Sequence, residues 1–219
     1  MKKILGTLIL FGALTANAQV TSVHSHKANQ ATGNDLSATE LQFSVGPGFT
    51  SASNGDKLST YAGSKTGLSL AADINLPLTR EFSILTGLEY VQKGMSIDVP
   101  NANSNTTISM NYFEVPVLAQ YNYFINRSNK LTAGLGPYFA FAVSRSASND
   151  TQSQDLSSST SSFDMGARMA IGYETVITHD LSFVGGMHYD LGFLNTASQG
   201  DTTLANRAFV ANVGVGVKL

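Results

Sequence analysis

Five ionisable residues stand at matching heights in segments that alternate in polarity: Glu89, Glu114, Arg168, His188 and Asp190. Their types allow two kinds of chemistry. His188 with Asp190 two residues on, sharing one strand face, is raw material for general acid–base catalysis. An arginine among carboxylates is raw material for a buried ion-pair network, or for a gate or ion-binding plug. The catalytic use needs a nucleophile, and the pattern assigns none. The inward positions carry no G-x-S-x-G elbow. A lipid-facing triad cannot be assembled either, because His179 falls in a turn and no outward histidine remains within the strands. Metal binding lacks its spacing. His24 and His26 form an H-x-H pair in a polar segment with no third ligand. There is no phosphate-binding loop, and the absence of Cys removes thiolate ligands, disulfides and a Cys nucleophile. The expectation is therefore no catalytic, cofactor or metal site, and a polar network of these five residues.

Their common height follows from register. Glu89 lies seven residues from Phe82, the base of its segment, and Glu114 about eight from Asn122. Arg168 lies nine from Ile177, and His188 seven from Leu181 with Asp190 two higher. A strand rises about 3.4 Å per residue, so a spread of two residues is small beside its length. Arg168 can bridge Glu89 and Glu114 bidentately. Three carboxylates against one guanidinium leave an acidic excess, which protonated His188, Lys93 or a protonated Glu would offset.

The elements that must position these side chains are strands. From Leu41 onward the apolar residues recur with period two, not at the i, i+3, i+4 spacing of a helix. Leu41, Phe43, Val45, Pro47 and Phe49 begin the series; Leu68 to Leu76, Phe82 to Tyr90, about 108–123, about 130–145, Phe163 to Tyr173, Leu181 to Phe193 and Phe209 to Leu219 continue it. One face of each is apolar and nearly uncharged. The other is rich in Gly, Ala and Ser, with isolated charges. A soluble sandwich would carry many Lys and Glu on its outer face. Small polar residues instead suit the inside of a narrow barrel, with the apolar face turned to lipid. Aromatics gather toward both ends of that face: Phe43, Phe82, Tyr121, Tyr173 and Phe183 near one rim, Phe49, Tyr90, Phe139, Phe141, Tyr189 and Phe193 toward the other.

Connections alternate in length. Pro77–Glu81, about Phe124–Asn129 and Thr178–Asp180 are short; about 51–65, 95–107, 146–161 and 194–206 are longer and polar. That asymmetry and an even strand count predict an all-β, eight-stranded antiparallel transmembrane β-barrel with both termini periplasmic. Pro47, Pro116 and Pro137 cannot donate to a ladder and are expected at bulges or ladder gaps. Composition agrees. Only 13% of the 219 residues are charged, against about 25% in soluble domains. The net charge of −2 offers no basic stripe for nucleic acid.

Residues 1–18 read as a secretory signal: Lys2 and Lys3, an apolar run from Ile4 to Leu14, and an Ala16-Asn17-Ala18 cleavage site. Residues 19–40 are polar and read as a flexible periplasmic lead-in, leaving 41–219 as the barrel. The closing strand, Asn212 to Leu219, resembles the assembly signal of outer-membrane barrels, with Leu219 where an aromatic is commoner. Barrel assembly machinery is therefore an expected partner during insertion, beside outer-membrane lipid and possible protein partners at the extracellular loops.

Three stretches, Gly87-Leu88-Glu89-Tyr90-Val91-Gln92-Lys93-Gly94, Tyr112-Phe113-Glu114-Val115-Pro116-Val117-Leu118 and Gly134-Leu135-Gly136-Pro137-Tyr138, carry a family resemblance. With them the chain resembles the outer-membrane β-barrel domain family typified by PorT, over about Leu41 to Leu219. The resemblance implies an integral outer-membrane protein of a Gram-negative envelope. The function expected is non-enzymatic: structural, docking or adhesion. The alternatives are a component of a secretion or gliding complex, as PorT is, and a narrow ion pore.

Overall fold

Strict alternation over long segments commits the backbone to strands. A computed structural model describes residues 38–54, 62–98, 105–148, 153–155, 162–194 and 204–219. Among them are β1 (Glu40–Asn54), β2 (Ala62–Pro77), β3 (Phe82–Asp98), β4 (Asn105–Phe124), β5 (Asn129–Ser148), β6 (Ser153–Asp155), β7 (Phe163–Val176), β8 (Leu181–Gly192) and β9 (Leu204–Lys218). All pairings are antiparallel. Each long strand pairs with the next along the chain, and β1 pairs with β9, so eight strands close into a barrel without a free edge. The ninth, β6, is a short flap on the end of β5. The signal segment, most of the lead-in, and His24 with His26 lie outside the described residues.

The two faces separate as the alternation predicts. Phe43, Val45, Leu70, Leu88, Val117, Leu135, Ile171 and Val215 stand exposed on the outside. Glu89, Glu114, Lys93, Arg168, Asp190, Tyr112 and Tyr138 are buried within. In a soluble protein such an inversion would be ruinous; against lipid it is what keeps the barrel in place. Aromatic rings pair across strands at both rims, Phe82 with Tyr121 at 5.5 Å and Tyr90 with Phe113 at 5.7 Å.

Three details differ from, or sharpen, the sequence expectation. First, β1 starts at Glu40, which pairs with Lys218 and Asn75 and so belongs to the barrel, not the lead-in. Second, the strands run well into the segments expected as loops: β4 and β5 each have 20 residues, starting at Asn105 and ending at Ser148. Hydrophobicity marks only the lipid-facing part of a strand. Ladder pairing continues beyond it through Thr106, Thr107, Ser144 and Ser146. Third, Pro47, Pro116 and Pro137 each sit where pairing with one neighbour lapses without a change of register. The β1–β9 ladder skips Gly46 and Pro47, and the β4–β5 ladder skips Gly136 and Pro137. The β3–β4 ladder skips Pro116. Glycine lets the backbones close in at these gaps: a Cβ on Gly46 would lie 1.8 Å from the Ala211 carbonyl oxygen. Gly94, at φ +153, takes a conformation costly for other residues, beside the register shift between β2 and β3.

Candidate functional site

The lumen is the candidate site, and register builds it. Glu89 on β3 faces Glu114 on β4 directly, and Arg168 on β7 faces Asp190 on β8. The barrel turns both pairs toward its axis. Arg168 then reaches three acids at once. Its Nε donates to Asp190 Oδ1 at 2.7 Å, Nη1 to Glu89 Oε2 at 2.5 Å and Nη2 to Glu114 Oε2 at 2.7 Å. A planar guanidinium with five fixed donors suits this; an ammonium could not span the set. His188 Nε2 lies 3.6 Å from Glu89 Oε1. The five residues singled out by height thus meet in one cluster, all buried.

Lys93 completes it. Four residues beyond Glu89 along β3, it stands higher in the barrel, yet its long stem brings Nζ to 2.6 Å from Glu114 Oε1 and 3.3 Å from Asp190 Oδ2. Counting backbone height alone places Lys93 outside the layer; side-chain reach puts it inside. Ser69 Oγ donates to Glu89 Oε1 at 2.5 Å. Ser69 follows the outward Leu68 and so falls on the inward face, but nothing in its type distinguishes it from other luminal serines.

Above the cluster, toward the long connections, the lumen is packed with apolar side chains. Tyr112, Tyr138, Val91, Ala140, Val210 and Met110 form a buried group. The Tyr138 ring centroid lies 4.8 Å from Lys93 Nζ and 5.8 Å from Arg168 Cζ, near enough for cation–π attraction. Asn206 links this packing to Asp164 at 3.0 Å and to Tyr112 at 3.4 Å. Below the cluster, at the short-turn end, is a second ionic layer. Lys130 Nζ meets Glu174 Oε2 at 2.5 Å, and Glu40 accepts from Ser182 and from Gln42.

Chemically, this arrangement holds charge; it does not expose it. The cluster's carboxylates are engaged by cations. Among the described residues no group of three or more His, Cys, Asp or Glu side chains is placed to hold a metal.

The lumen, the closed antiparallel sheet and the apolar outer belt define a membrane barrel. The chain belongs to the outer membrane protein β-barrel domain family, whose profile matches residues 17–198, and it resides in the outer membrane of Gram-negative bacteria. The match is to the family and does not single out PorT. Among solved structures, the crystal structure of Neisserial surface protein A is similar at 14% identity and a TM-score of 0.51, covering 83% of this chain and 97% of that one. Outer membrane protein OprG of Pseudomonas aeruginosa is similar at 16% identity and a TM-score of 0.46, covering 84% and 97%. At such identities the first likeness is one of fold. No individually curated protein matches the sequence significantly.

Proposed function

We propose that the protein is a non-enzymatic outer-membrane barrel with a sealed lumen, whose working surface is its long-loop end, serving docking or adhesion. The observation that carries this reading is the filled lumen: an ionic cluster beneath a plug of Tyr112, Tyr138, Val91 and Val210, each completely buried. A transport pathway would need a continuous polar opening, and an eight-stranded barrel is just wide enough for its own side chains. The long strands add support. About 10 tilted residues cross a membrane, so β4 and β5, with 20 each, extend far beyond it. They would present paired, polar ribbons to the exterior. The two histidines among the described residues bear on the non-enzymatic reading. His188 is held against Glu89 inside the lumen, and His179 lies exposed in the β7–β8 turn.

In this reading residues 1–18 direct export and are removed. N-terminal sequencing of membrane-extracted protein is expected to begin at Gln19; an intact Met1 refutes the signal.

Two measurements test the function. Purified barrel in planar bilayers is expected to be electrically silent; steady single-channel conductance would favour the pore. Partners recovered from native membranes with the full barrel are expected to be lost when the long-loop ends between β3 and β4 and between β5 and β7 are trimmed. A secretion or gliding role like PorT's is the narrower form of this docking role, and the recovered partners would identify it. Equal recovery with trimmed barrel would remove docking through this end.

A further inference from the structure

The lipid-facing belt of the barrel is not uniform. Toward the short turns, on the outside of β4, β5, β7 and β8, lies an open-sided groove of about 540 Å³, within the range of about 300–1,000 Å³ usual for ligand sites. Register explains it. Ala133 on β5 pairs with Tyr121 and with Ile171, and Gly185 on β8 pairs with Tyr173. All five occupy the outward face, on which Tyr121, Ile171 and Tyr173 stand exposed. The two small residues therefore leave a depression, and the rings and the Ile171 chain rise around it. Tyr173 is held as part of the wall by its hydroxyl, which donates to Asn129 Oδ1 at 2.5 Å. Tyr123 and Leu131, paired in the next row, carry the groove toward the turns.

The end of the groove nearest the turns is charged. Arg127 stands exposed in the turn between β4 and β5, four residues from both Tyr123 and Leu131, which is at most about 14 Å of chain. Among the described residues its guanidinium makes no ion pair or hydrogen bond. Arg80, on the turn between β2 and β3, is by contrast stacked on Phe124, with Cζ 5.2 Å from the ring centroid. The β4–β5 turn is tied to the next one along the rim. Val176 N–H donates to the Ser128 carbonyl at 2.8 Å, and the β7–β8 turn, with exposed Asp180, follows directly after Val176. A cation and an anion thus stand on adjoining turns at one end of an apolar groove. Hydrocarbon chain, phosphate and amine follow one another in the same way in a zwitterionic phospholipid.

We propose that this groove retains one phospholipid from the leaflet at the short-turn end. One acyl chain lies along Ala133 and Gly185, the phosphate is held by Arg127, and the amine of an ethanolamine head is turned to Asp180. A guanidinium is the side chain best shaped for phosphate. The acyl chain gains dispersion contacts on its flanks as well as beneath, where lipid elsewhere on the belt touches one surface. With the short turns periplasmic, this is the phospholipid leaflet of an outer membrane. The site lies at the opposite end from the long connections, so it stands or falls independently of docking there.

The test uses the full barrel folded in detergent micelles that contain palmitoyl-oleoyl-phosphatidylethanolamine, with retained lipid counted by native mass spectrometry. Palmitoyl-oleoyl-glycerol, which has the same chains and no phosphate, is the control. The expected result is one phosphatidylethanolamine kept per barrel under conditions that strip the diacylglycerol. Gly185→Leu fills the groove. A Cβ there makes only ordinary contacts, 3.6 Å from the Phe183 ring and 3.8 Å from the Asn212 carbonyl oxygen, so the backbone accepts it. This variant is expected to lose the retained lipid while keeping the heat-dependent gel mobility of a folded barrel. Arg127→Gln, on an exposed turn, is expected to lower the affinity by about tenfold, the effect of one charge-assisted contact. Should Gly185→Leu fail to fold, Ala133→Leu blocks the same groove from β5. Undiminished retention in the groove-filling variant or in Arg127→Gln overturns the proposal, as does equal retention of the phospholipid and the diacylglycerol. A barrel dimer that Gly185→Leu disperses, with no lipid kept, would make a second copy the occupant and overturn it too.

Discussion

Replacing Arg168 with alanine is expected to lower the unfolding free energy of the barrel by about 3–5 kcal/mol, the cost of stranding buried charge. Arg168 is bonded to Glu89, Glu114 and Asp190 together. Without it Lys93 alone faces Glu114 and Asp190, and Glu89 keeps only Ser69 and His188. Arg168→Lys should recover little, since one ammonium cannot reach three carboxylates in the geometry a guanidinium spans. Glu114→Ala should cost less than Arg168→Ala, because both its cations retain other acids. Denaturant unfolding in detergent or lipid measures all three. Unchanged stability in both Arg168→Ala and Glu114→Ala would mean a solvated network, and the pore reading would gain.

The second large effect is expected at Tyr138. Its ring is completely buried, packed in the luminal plug with its face toward Lys93. Tyr138→Ala removes that packing and leaves a void, a change worth about 3–5 kcal/mol for large aromatics in cores. The void would lie directly above the ionic cluster. The variant is therefore expected to combine a lower unfolding midpoint with intermittent conductance where the wild type is silent. Loss of stability without any conductance would show that the Arg168 cluster alone seals the lumen. Unchanged stability would show that the plug contributes no net packing energy.

How much of this was legible in the residues depends on the kind of signal. Period-two alternation determines which side of the wall each residue occupies, because one slip of register would expose every luminal group to lipid. Glu89, Glu114, Arg168, His188 and Asp190 could be gathered into one layer by counting from the turns alone. Counting follows backbones, however, and Lys93 enters the layer by the length of its side chain. Asp73 falls on the inward face by the same alternation, but that its Oδ1 has no hydrogen-bond partner becomes visible only in the structure. Strand ends differ from the expectation for a related reason. Apolar residues report contact with lipid, whereas the ladder from Asn105 to Ser109 needs only hydrogen-bonding backbones and β-tolerant side chains.

The seam between β1 and β9 sets the order in which the molecule can be made. Glu40 pairs with Lys218, and its carboxylate is satisfied by Ser182, 142 residues away along the chain. At the same seam, Leu219 N–H donates to the Thr39 carbonyl. The first strand to be synthesised therefore waits for the last two before its polar edge is covered. Closure of so distant a loop is entropically slow. Until it happens, β1 presents unpaired backbone groups that bare lipid cannot satisfy. A chain cut short before β9 would carry an open edge at β1, with Gln42 of the same strand still donating to Glu40. Pairing of β9 and closure of the wall are thus one event, and a barrel without β9 keeps the unpaired backbone edge of β1.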